Sequence, residues 1–159
     1  MRKHKTQRTR YTLLTEITAS PTEPLPAGFR RHQLTRMYQG LAALEKAERP
    51  TEDDWRVVAD AVNLMETVVR EGIAEDASGL LDDAVGAMAR AGERFGATGV
   101  IRLDGEGIQA VRSVLADYSE LLDLLPARTM YRVHRLTERR ILEILSGKTR
   151  PHDVRIVGV

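Results

Sequence analysis

Between residues 29 and 147 the chain repeats one pattern: large apolar residues lie three or four positions apart, with polar residues between them. That spacing gathers the apolar positions on one face of an α-helix, and it recurs in five stretches separated by turn residues. The first predicted helix runs from Phe29 to Ala47, with Leu34, Met37, Tyr38, Leu41 and Leu44 facing inward and Gly40 as a mild interruption. Arg49-Pro50-Thr51 stops it and starts the next. Thr51 suits an N-cap, and Glu52, Asp53 and Asp54 put negative charge where the helix dipole favours it. Trp55, Val58, Val62, Met65 and Val69 form the stripe of this second helix, which is expected to end near Gly72 or Ile73.

Glu75–Gly79 reads as a turn, and a third helix follows with Leu81, Ala84, Val85, Met88, Ala91 and Phe95 on one face. Its small residues Gly86, Ala87, Ala89 and Gly92 allow a neighbouring backbone to come close, and Gly96–Gly99 breaks it. Val100–Leu103 reads as a short extended segment. Asp104 then caps a fourth helix whose first turn Gly105 and Gly107 weaken. There Ile108, Val111, Leu115, Tyr118, Leu122 and Leu125 alternate in threes and fours, the cleanest bundle seam in the chain. That seam is long enough to serve a homodimer as well as an internal core. Pro126 opens a fifth helix with Met130, Val133, Leu136, Ile141, Ile144 and Leu145 inward, and Gly147 fits its C-terminal cap.

The two ends differ from this middle. Residues 1–26 hold Pro21, Pro24 and Pro26 and little apolar surface, which predicts a mobile or extended arm, although Leu13, Leu14 and Ile17 could dock on a core. Residues 148–159 read as an extended tail, with Val154–Val157 as a short strand to set beside Val100–Leu103. The expected fold is therefore all-α: a four- to five-helix bundle over 27–147, a basic, Pro-containing N-terminal arm over 1–26, and a short extended C-terminal tail over 148–159.

Charge sharpens this division. The whole chain has a formal charge of +1, yet residues 1–36 carry +6, residues 37–125 carry −10 and residues 126–159 carry +5. Such segregation speaks to partners and solubility rather than to fold. The length of 159 residues suits one domain, and seven aromatics leave the core to aliphatic side chains. Cysteine is absent, which removes disulfides, thiolate metal sites and thiol nucleophiles and fits a cytoplasmic setting. No apolar run approaches the roughly 18 residues of a spanning helix, so no membrane partner is expected.

The chain offers little catalytic chemistry. His4, His32, His134 and His152 are scattered outside metal-binding spacings and read as unrelated surface residues, so neither metal nor cofactor is expected. No GxSxG is present, and the glycines around Asp104 lack the GK[ST] of a phosphate loop. Adjacent acids such as Asp53-Asp54 and Asp82-Asp83 point about 100° apart on a helix and read as solvated faces rather than acid–base pairs. The expectation is a protein that is not an enzyme.

Two basic elements remain. Arg2, Lys3, Lys5, Arg8 and Arg10 cluster with no acid among them. Arg128, Arg132, Arg135 and Arg139 recur at spacings of four, three and four along one face of the last helix. Both suit a phosphate backbone, and both suit an acidic protein surface. The arm can also serve solubility alone, and the stripe can pair within the molecule with the acids of the second or third helix. The second and third helices are too long and acidic for a recognition helix.

Three stretches resemble a group of small uncharacterised proteins of bacteriophages and integrated elements of proteobacteria. They are RKHK with the proline-containing arm; RPTEDDWRVVADAVNLMETVVREG, with Thr51, Asp54, Asn63 and Glu66 in register; and VIRLDGEGIQAVRSVLADYSELLDLLPARTMYRVHRLTER. The resemblance implies a setting in the cytoplasm of a host bacterium and an accessory role in a mobile element. It brings no catalytic or binding residues. The leading expectation is a non-enzymatic accessory protein that binds a host or phage macromolecule, most readily a protein, and inhibits or redirects it. The alternative is a nucleic-acid-binding regulator using the same arginines.

Overall fold

The structure is a computed structural model and describes residues 10–147. Among the described residues there are six helices and no strand: α1 (Leu13–Thr18), α2 (Ala27–Lys46), α3 (Glu52–Arg70), α4 (Leu81–Thr98), α5 (Gly105–Leu124) and α6 (Ala127–Leu145). The strand expected at Val154–Val157 lies outside the described residues. Its expected partner, Val100–Leu103, is an irregular connection pinned by buried Ile101 and Leu103.

Helix α3 is the hub. Its sequence is apolar or small around most of its circumference, so it packs against α2, α4, α5 and α6 together. Thr51 starts it with a full capping box: its hydroxyl accepts from the Asp54 N–H at 3.2 Å, and the Asp54 carboxylate accepts from the Thr51 N–H at 2.8 Å. Gly72, at φ +66°, lets the chain turn away after Arg70. The α5 seam is spent inside the chain, with Val111, Leu115, Tyr118 and Leu122 all buried.

Close helix crossings explain two glycines. A Cβ on Gly40 would sit 2.7 Å from the Asp54 carbonyl oxygen of α3, and one on Gly107 would sit 2.7 Å from the Ala87 Cβ of α4. Gly107 therefore weakens its helix turn in exchange for contact with α4. Gly96 does not end α4, which continues to Thr98 and stops at Gly99 in the left-handed conformation.

The expected arm differs most. From Tyr11 onward it belongs to the folded unit, and α1 is the helix that the apolar pattern did not predict. Leu25 and Tyr11 are buried, while Leu13, Leu14 and Ile17 stay in solvent. The prolines shape a cap rather than a free linker. Pro24 bridges Pro126, and the carbonyls of Glu23 and Ser20 accept from the N–H groups of Ala127 at 2.7 Å and Arg128 at 2.9 Å. Those donors open α6 and have no partner within their own helix.

Two inward assignments also shift. Tyr38 and Leu145 are exposed. The buried face of α6 instead runs through Ala127, Met130, Val133, His134 and Thr137. No helix among the described residues is long and apolar enough to cross a membrane.

Candidate functional site

The arginine row of α6 is divided by the arm lying along it. Arg128 donates to the carbonyls of Ile17 at 2.9 Å and Ala19 at 3.3 Å, the last acceptors of α1. Arg135 meets Glu16 of α1 at 2.7 Å in a largely covered pair. These two arginines act as struts for the arm. Arg132 and Arg139 lie on the solvent side. Arg132 approaches Glu71 only to 3.8 Å, and Arg139 pairs along its own helix with Glu143 at 3.0 Å. Both keep more than half of their side chains exposed, at 51% and 69%. Exposed pairs of this kind stabilise by about 0–1 kcal/mol and exchange readily for another anion.

Of the basic cluster at the start of the chain, only Arg10 is described; Arg2, Lys3, Lys5 and Arg8 lie outside the described residues. The Arg10 guanidinium lies 5.8 Å from the centroid of the Tyr11 ring, and its backbone N–H donates to Glu138 at 3.1 Å. The Tyr11 N–H donates to the same carboxylate at 3.2 Å, which fixes the start of the arm to α6.

The sequence reading missed a fifth arginine. Arg140 reaches Glu66 at 3.2 Å and the Asn63 carbonyl at 3.2 Å, with only 12% and 11% of the two charged side chains exposed. Burial pushes the Arg140 pKa down, while Glu66 opposes that shift. This pair ties α3 to α6 beside the Thr67 and Thr137 hydroxyls, 2.6 Å apart. An acid one position beyond Met65 on an otherwise buried face was the available signal.

His134 is a correction. It is not a surface histidine: it is 8% exposed, and its ring lies 4.2 Å from that of Tyr11 at 19°. Its Nε2 has no hydrogen-bond partner among the described residues. Burial pushes its pKa down to about 4, and Arg10 acts in the same direction. The ring is therefore neutral at physiological pH. His32 is exposed; His4 and His152 lie outside the described residues.

Beside His134 a cavity of about 240 Å³ opens among α2, α3, α5, α6 and the arm. Tyr118 lies within it, with its hydroxyl 3.4 Å from Gln33 Oε1 and its pKa raised by burial. Asp60, nearer solvent, is held above the usual carboxylate range by the packed surroundings, against the pull of Arg56, Arg36 and Arg10. No three His, Cys, Asp or Glu side chains converge to hold a metal ion among the described residues.

The fold and its arginine face define an all-α bundle strapped by its own N-terminal segment. No family model matches the chain, and neither a curated protein nor a solved structure is similar to it.

Proposed function

We propose that this is a non-enzymatic accessory protein of a phage or mobile element, which docks on an acidic surface of a host or phage protein and inhibits or redirects it. The observation that carries the reading is the division of the α6 arginines. Arg128 and Arg135 are committed to the arm, whereas Arg132 and Arg139 stand in solvent in pairs that an incoming carboxylate can replace. The segregated charge of the chain supports it, and the resemblance described above supplies the setting. Two separated arginines form a short contact patch. A phosphate backbone would engage a longer continuous row, so a protein partner is the better fit.

Affinity capture from nuclease-treated bacterial lysate tests this, with the wild-type chain compared with Arg132→Gln/Arg139→Gln. The reading predicts a protein held by the wild type and lost or strongly reduced with the double variant. Identical capture by both chains would overturn it.

A further inference from the structure

The cavity beside His134 is larger than close packing leaves by chance, since protein interiors hold few voids bigger than a water molecule. About 150 Å³ suffices for a benzene ring in such an interior, so about 240 Å³ admits one ring with two substituents. The lining divides by depth. Tyr11, Met37, Leu64 and Tyr118 form a buried aromatic and aliphatic wall. Arg10, Arg36 and Asp60 form a lip in solvent.

The inner wall has polar atoms that the chain serves poorly. The Tyr118 hydroxyl donates to Gln33 Oε1 at 3.4 Å, which is long for an O–H···O bond, and it has no other partner among the described residues. His134, on the same wall, has an Nε2 with none. Buried polar atoms in this condition cost stability, and a bound group that supplies the missing bond recovers it. A ligand hydroxyl suits the wall because it both donates and accepts.

The lip selects the charge. Neither Arg10 nor Arg36 has a carboxylate within 4.0 Å of its guanidinium among the described residues. Glu138 is already engaged by the N–H groups of Arg10 and Tyr11. Asp60 is the opposing charge, and Arg56, Arg36 and Arg10 all act on it. An incoming carboxylate therefore meets guanidinium groups able to make charge-assisted hydrogen bonds, whereas an ammonium meets one carboxyl among three arginines.

We infer that this cavity binds a small hydroxylated aromatic carboxylate, with its ring against the inner wall, its hydroxyl toward Tyr118 and its carboxylate at Arg10 and Arg36. The site lies apart from Arg132 and Arg139, and the inference does not rest on the protein docking proposed above.

Titration of the isotope-labelled full chain, followed by amide chemical shifts, tests the inference with probes of one ring size: para-hydroxybenzoate, benzoate, para-hydroxybenzyl alcohol and para-hydroxybenzylamine. para-Hydroxybenzoate should bind saturably, with the largest shifts around Gln33, Asp60, Tyr118 and His134. Benzoate should bind about fivefold more weakly and the neutral alcohol about tenfold more weakly, and the amine should not bind. Arg36→Gln should weaken para-hydroxybenzoate about tenfold with unchanged circular dichroism, because that side chain is exposed and supports no core. Tyr118→Phe should bring para-hydroxybenzoate and benzoate to equal affinity. No saturable shifts with any probe, or shifts centred elsewhere, would overturn the inference. So would an alcohol or amine that binds as tightly as the acid, an Arg36→Gln chain that binds as the wild type does, or a Tyr118→Phe chain that keeps the preference for the hydroxylated ring. The Arg132→Gln/Arg139→Gln capture is scored separately, so failure here leaves the docking proposal to its own test.

Discussion

Replacing His134 with Phe isolates the cost of keeping a neutral imidazole inside this protein. The ring is 8% exposed, lies flat on Tyr11 and has no partner for Nε2 among the described residues. Its pKa falls from 6.5 to about 4 on folding, because burial excludes the charged form and Arg10 repels it. Protonation therefore favours the unfolded chain. The stability at stake is intact above pH 6.5 and is lost as the pH falls toward 4. At about 1.4 kcal/mol per pKa unit, the whole shift is worth about 3 kcal/mol, of which about 2 kcal/mol is gone near pH 5. Phe keeps a ring against Tyr11 and gains no proton. The raised carboxyl of Asp60 is common to both proteins and cancels in the comparison. Urea unfolding near pH 7 and near pH 5 should show the wild type losing about 2 kcal/mol more than His134→Phe over that interval. At neutral pH the variant should be at least as stable, because an apolar ring replaces a buried polar atom that lacks a partner. Equal losses in the two proteins would refute the reasoning, since His134 would then take up its proton without cost.

Other consequences follow from the packing. Gly40→Ala should destabilise by about 2 kcal/mol in denaturant unfolding, because overpacking against the Asp54 carbonyl outweighs the gain in helix propensity. Arg140→Leu should cost about 2 kcal/mol, since it removes the 3.2 Å partner of the covered Glu66 carboxylate and leaves the longer 3.8 Å approach of Arg70, whereas Arg139→Leu should cost less than about 1 kcal/mol; paired thermal melts check the contrast. Tyr11→Ala should cost about 2 kcal/mol and speed protease cleavage between residues 19 and 24, because it removes the ring that holds the arm on His134 and Tyr131.

The five long helices were legible because each repeats its apolar positions over several turns and is bounded by Pro, Gly or a capping acid. Helix α1 was not, for a physical reason. It has six residues, its leucines face outward, and it is held by Arg128 and Arg135, more than a hundred residues away in sequence. No local period records contacts of that kind. Tyr38 and Leu145 misled for the converse reason, as apolar residues in register that the neighbouring helices do not cover. His134 was legible in principle, because it falls on the line through Met130, Thr137 and Ile141 at helical spacing. Treating histidine by chemical type rather than by position hid it. The arginine row was visible, but the division of its members between the arm and solvent depends on where α1 packs.

The docking proposal rests on a protein partner, and the direct test is the fate of material captured by the wild-type chain under nuclease and raised salt. A protein that stays bound through nuclease treatment and moderate salt, and leaves when Arg132 and Arg139 are changed together, is the predicted result. Material that disappears with nuclease, or with a steep dependence on salt, would contradict the account and make the basic segment a nucleic-acid contact.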